Sequence, residues 1–159
     1  MFSQKGSRST RGAAIAATML ATLVMAQPAS TGSACTQTGT SGPDTLIGTG
    51  GADVLCGRGG SDQLSGRGGD DLILGGSGPD LIDGGRGNDE LRGDSGSDLI
   101  TDDRGADLLV GWRGSDCLDA RDGRGNDTVR GGPDGDLGAT DPGDVRRSIE
   151  NVVSFCPTA

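Results

Sequence analysis

The chain has no histidine and no tyrosine, and its 159 residues include one tryptophan, two phenylalanines and only two glutamates, Glu90 and Glu150. Its one lysine, Lys5, lies near the start. Each absence removes a class of chemistry. Without histidine there is no Ser–His pair and no zinc-protease motif, and past residue 5 there is no Schiff-base lysine. With so few aromatics there is little to fill a conventional core or to stack against a sugar ring. A carboxylate pair of the glycosidase kind survives this filter on composition alone. Nearly every aspartate, however, belongs to the repeat register described below or to its turns, and we expect no enzyme. The net charge of −9 argues against a nucleic-acid partner, since nothing would displace counterions from a phosphate backbone.

The first residues differ from the rest. Lys5, Arg8 and Arg11 form a basic start, and Ala13 to Met25 is an apolar run too short to span a bilayer. Small residues follow, so residues 1–29 read as a secretory signal peptide, and the chain is expected outside the cell without membrane insertion. Lipid anchoring through Cys35 would need a branched aliphatic residue just before it, and Gly32-Ser33-Ala34 lacks one. Residues 30–38 form a short lead-in.

What the chain has in excess is glycine, 32 residues, and aspartate. From Gly39 to Asp119 it divides into consecutive nine-residue units. Position six is Asp44, Asp53, Asp62, Asp71, Asp80, Asp89, Asp98, Asp107 and Asp116, without exception. Position four is always glycine, and position eight always leucine or isoleucine, from Leu46 to Leu118. Position one is glycine except at Asp102.

Each fixed position has a use. Glycines at fixed offsets permit φ > 0 and close approach, so positions one to six form a turn. Positions seven to nine form a three-residue strand whose middle residue points inward. Two units make one circuit, and circuits stack about 4.8 Å apart as parallel strands. At that spacing two carboxylates on one edge repel by roughly 3 to 4 kcal/mol at an effective dielectric of about 20. Calcium takes carboxylate and carbonyl oxygens, and a cation between turns converts the repulsion into bracing. One inward apolar side chain per unit is a small driving force against the entropy of ordering so much glycine, so folding is expected to require the metal.

These units resemble the RTX nonapeptide G-G-x-G-x-D-x-U-x, the calcium-binding repeat of haemolysin-type toxins and secreted proteases. The resemblance covers Gly39 to Asp119 closely and reaches loosely to Asp136. It implies an all-β, right-handed parallel β-roll over residues 39–136, closed by a short non-repeat cap over 137–159. It also implies calcium between the turns of units n and n+2, held by the position-six aspartates and turn carbonyls, up to seven ions in all. Asp127, which follows a two-residue insertion, joins the expected ligands, and Asp136 is a weaker one. Of the 14 basic residues, 11 lie beyond the leader against 23 acidic ones, so such loading would roughly neutralise the chain.

The departures matter too. Position two is glycine only in units five and six, and unit eight opens Asp102-Asp103-Arg104, which puts its turn in doubt. Asp134 stands where a glycine is expected and Gly138 where an inward leucine is. Ile149 to Phe155 reads as a strand that covers the end of the roll. On the roll, Cys56 and Cys117 fall on opposite sheets, too far apart to bridge, so the favoured disulfides are Cys35–Cys56 and Cys117–Cys156, one at each end. Trp112 stands in a turn and is expected to pack on its neighbour. The outer face of the even units, with Leu72, Leu74, Leu108 and Val110, is the more apolar. It is either covered by the tail or lead-in or used as a calcium-dependent adhesion or partner-binding surface.

Overall fold

Leucine or isoleucine recurring once in nine residues lines up along the chain, and stacked circuits place these side chains directly above one another. The computed structural model describes residues 34–153 and Cys156. The signal peptide expected at 1–29 lies outside the described residues. Fourteen strands make two seven-stranded parallel sheets, and no helix occurs among the described residues. The strands are β1 (Gln37–Thr38), β2 (Thr45–Ile47), β3 (Val54–Gly59), β4 (Gln63–Gly68), β5 (Leu72–Ser77), β6 (Leu81–Arg86), β7 (Glu90–Ser95), β8 (Leu99–Thr101), β9 (Leu108–Arg113), β10 (Cys117–Ala120), β11 (Thr128–Arg130), β12 (Leu137–Thr140), β13 (Val145–Arg147) and β14 (Asn151–Val152). Odd strands build one sheet and even strands the other, each pairing with the strand two further on. This is a parallel β-roll.

Register explains the core. Leu55 pairs with Ile73, Ile73 with Leu91 and Leu91 with Leu109, while Leu64, Ile82, Ile100 and Leu118 align on the other sheet. Between Ile73 and Leu118 every position-eight side chain is 0% exposed. Each contributes about 1.5 to 3 kcal/mol by leaving water. Together with Val129 and Ala120 they form the hydrophobic core.

The strands are longer than three residues. β3 to β7 and β9 have six, because each runs through the first three positions of the next unit. The pairing of Arg58 with Gly76 and Gly59 with Ser77 continues the ladder past the bend. The bend comes from left-handed backbone at position two, where φ is 77° at Arg58, 74° at Arg67, 71° at Asp94 and 82° at Trp112. Non-glycine residues hold this conformation at a cost of about 1 to 3 kcal/mol each, offset here by the ladder pairing they continue, on both sides at Asp94. Position four is left-handed as well, as in Gly60 at 119°, a value suited to glycine.

The parallel ladder runs past Asp136. β12 pairs with β10, β13 with β11, and β14 with β12, so residues of the expected cap extend both sheets. The strand expected over Ile149 to Phe155 is confined, among the described residues, to Asn151–Val152. Ile149 has another task. A Cβ on Gly138 would meet Ile149 Cγ2 at 3.0 Å, so the isoleucine fills the space of the missing inward leucine. In the other sheet Arg146 takes the next inward register after Val129 and is exposed, which ends the apolar column.

Both disulfides are Cys35–Cys56 and Cys117–Cys156, with Cα separations of 5.9 and 5.7 Å. Trp112 is 50% exposed, and its ring packs beneath the Arg92 guanidinium, 5.8 Å from the ring centroid. Leu72, Leu74, Leu108 and Val110 are half-buried, with neither full cover nor full exposure.

Candidate metal sites

One acidic residue directly precedes each strand from β2 to β14. The circuit repeats every 18 residues, so these residues stack in two columns, one for each set of turns. Asp53, Asp71, Asp89 and Asp107 lead to Asp127, and Asp44, Asp62, Asp80, Asp98 and Asp116 lead to Asp136.

Within a column the geometry repeats. The backbone N–H of each aspartate donates to Oδ1 of the aspartate one circuit on, at 2.7–3.0 Å from Asp44 through Asp116. Its carbonyl accepts the N–H that opens the strand in that same circuit, as Leu81 donates to Asp62 O at 2.9 Å. One carboxylate oxygen is thereby spent on holding circuits together.

The other oxygen is free. Oδ2 of Asp62, Asp71, Asp80, Asp89, Asp98, Asp116 and Asp136 is buried with no hydrogen-bond partner. It points toward the position-one glycine of its own unit. A Cβ added to Gly57 would lie 2.5 Å from Asp62 Oδ2 and 2.5 Å from the carbonyl oxygen of Gly75 in the next circuit. The missing Cβ therefore leaves a cradle in which a carboxylate and a main-chain carbonyl converge, the donor set a hard cation takes.

Burial dominates the electrostatics. It pushes the carboxyls of Asp80, Asp89, Asp116 and Asp127 up to about 6 and that of Asp98 to about 7. The donated N–H opposes this rise, and the neighbouring aspartates of the column add to it. Asp71 and Asp136 are raised for the same leading reason. Without a cation the buried column favours protonated carboxyls.

The first two units are built differently. Thr40 donates its N–H and its hydroxyl to Asp44 Oδ2, at 2.6 and 2.9 Å, and Thr49 does the same for Asp53 at the same distances. The oxygen left free elsewhere is already satisfied here, and the Thr49 N–H and hydroxyl hold the Asp53 carboxyl below its usual value. Among the ten aspartates singled out by sequence, Asp44 and Asp53 sit in the same columns but offer a cation no unpartnered oxygen.

Residues 38–73, 65–100 and 92–124 match the four-copy pattern of the RTX calcium-binding nonapeptide repeat, over more than half of the chain. The chain belongs to this family. No curated protein and no solved structure matches it. The RTX assignment and the orphaned oxygens agree on calcium-binding repeats in a β-roll. Asp136, the weaker expectation, takes a regular place in the RTX column, and two further members were not legible in the sequence. Asp136 is fully buried and accepts from the Asp116 N–H at 3.0 Å, a regular member despite the insertion before it. Beyond it, Asp144 accepts from Asp127 N–H at 3.2 Å, and Glu150 from Asp136 N–H at 2.7 Å. The signal for both was their place just before a strand.

Proposed function

We propose that this protein is a secreted calcium-binding β-roll whose fold forms as calcium enters between successive turns. The observation that carries this reading is the column of buried Oδ2 atoms with no partner, each facing a glycine cradle. Calcium there is held by Asp62, Asp71, Asp80, Asp89, Asp98, Asp116 and Asp136 together with turn carbonyls, and Asp107 and Asp127, which occupy the same columns, complete the ligand set. At Asp44 and Asp53 an ion would have to displace Thr40 and Thr49. Loading on the order of one ion per orphaned oxygen, up to about seven, neutralises the excess of carboxylates. Export through the 1–29 leader agrees with two disulfides, which persist in oxidising compartments. The role is structural and non-catalytic.

The test is calorimetric titration of the metal-stripped protein with calcium chloride, followed by far-UV circular dichroism. We expect several ions bound and a strand spectrum that appears with calcium and vanishes in excess EGTA. A strand spectrum that persists at neutral pH without bound metal would defeat the reading.

A further inference from the structure

The first position of the repeat is broken once within the nine units, at Asp102. In regular units the main-chain carbonyl of position one faces the position-one glycine of the preceding circuit. A Cβ on Gly66, for example, would lie 2.6 Å from Gly84 O. At Gly84 the pattern changes. The nearest atom there is Oδ1 of Asp102, and Asp89 Oδ2 follows at 2.8 Å. A carboxylate oxygen occupies the place that a carbonyl oxygen takes elsewhere.

The backbone shows how this is accommodated. Asp102 N–H donates to Asp119 O at 3.1 Å, so the main chain still follows the sheet. Asp103 and Arg104 then both donate to Gly85 O, at 3.2 and 3.0 Å, and β8 stops at Thr101. Neither Asp103 nor Gly105 takes the left-handed backbone found at Asp94 and Gly96 or at Trp112 and Gly114 in the flanking units. The altered turn lets the Asp102 side chain fold inward.

Carboxylate oxygens of Asp89, Asp102 and Asp107 consequently lie within 4.8 Å of one another. The three residues are 3%, 7% and 3% exposed. Both oxygens of Asp102 and Oδ2 of Asp89 have no hydrogen-bond partner. Neither ion pair among the described residues, Arg92–Asp94 or Arg121–Asp119, reaches the cluster. Three buried carboxylates at this spacing cannot all stay charged unaided: either protons or a cation must sit between them.

We propose that Asp89, Asp102 and Asp107 together hold one hard cation, calcium or a trivalent lanthanide in its place, in a site that loads before the others. Every other interval is flanked by a pair of column carboxylates, and this one has a third. Affinity for calcium rises with the number of charged ligands, and a trivalent ion gains more than a divalent one from the added charge. The inference rests on the reading that the intervals between turns take calcium.

The experiment is calorimetric titration of the full chain with calcium chloride, and separately with terbium chloride, for the unchanged protein, Asp102→Gly and Asp102→Asn. Asp102→Gly restores the regular unit, and Asp102→Asn keeps the side-chain size while removing one charge. The unchanged protein is expected to show one step about tenfold tighter than the rest or more. Both variants lose that step, keep the remaining ones and prefer terbium over calcium less strongly. A variant that titrates like the unchanged protein overturns the three-carboxylate site and leaves the calcium-loaded roll standing. Loss of every step in Asp102→Asn also overturns it, because the other intervals keep their ligands. An unchanged protein that binds no calcium overturns both.

Discussion

The backbone N–H of Asp62 donates to Oδ1 of Asp80 at 2.9 Å, across 18 residues of chain, while Oδ2 of each is buried without a partner. The two oxygens of one carboxylate thus serve different ends, one tying circuits together and the other facing a cradle between them.

The two ends separate by mutation at Asp80. Asp80→Asn retains an oxygen that can accept the Asp62 N–H and removes the charge, whereas Asp80→Ala removes both. In excess calcium both variants are expected to bind fewer ions. Asp80→Ala loses about 1 to 3 kcal/mol more in urea unfolding, because a buried N–H is left unpaired. Equal stability of the two would contradict a structural role for Oδ1.

Glycine at position one and glycine in the first turns are predicted to differ sharply. A Cβ on Gly57 would sit 2.5 Å from both Asp62 Oδ2 and Gly75 O, while one on Gly50 meets nothing within 4 Å. Gly57→Ala should therefore weaken calcium binding and lower the melting temperature, and Gly50→Ala should leave both nearly unchanged, within about 0.5 kcal/mol. Thermal unfolding in calcium checks the pair.

Acid should partly replace calcium. In the metal-free fold Asp80, Asp89, Asp116 and Asp127 are raised to about 6 and Asp98 to about 7, from an ordinary 3.8. A raised carboxyl means that the folded chain holds protons the unfolded chain has given up. The resulting stability is complete below about pH 3.8 and is lost as pH rises through about 6 to 7. Metal-stripped protein in chelator-treated buffer should show more strand by circular dichroism at pH 4.5 than at pH 7.5. The reverse order would exclude burial of these carboxyls in the metal-free state.

Ile149 is expected to matter far more than an isolated residue of the tail. Its side chain packs over Gly138 against the core. Ile149→Ala should cost about 2 kcal/mol or more, since the cavity left has no neighbouring leucine to close it. The double variant Gly138→Leu with Ile149→Ala should recover part of the loss. Hydrogen exchange at β12 and β14 is the sensitive measurement.

Much of this structure is written in the nine-residue period. Leu55, Ile73 and Leu91 are inward because an alternating strand leaves the middle of three residues no other direction, and Asp62, Asp80 and Asp98 stack because equal spacing returns each to the same corner. The disulfides followed from the same geometry. Other features were not legible. Arg58 and Trp112 look like defects in a glycine position, yet their left-handed backbone continues the ladder. Asp144 and Glu150 lie outside the nine-residue frame and still extend the columns.

The sequence by itself determined the parallel coil, its core and the aspartate columns, because a strict local period admits one repeated conformation and stacking does the rest. Only the tertiary structure decided which carboxylate oxygens stay free. That depends on what meets them from their own turn and from the next circuit: Thr49 donating to Asp53, no donor beside Asp80 Oδ2, Asp102 beside Asp89. The Thr49 contact lies within one unit but turns on a side chain outside the fixed positions, and the Asp102 contact is set by packing between segments that a local period does not encode.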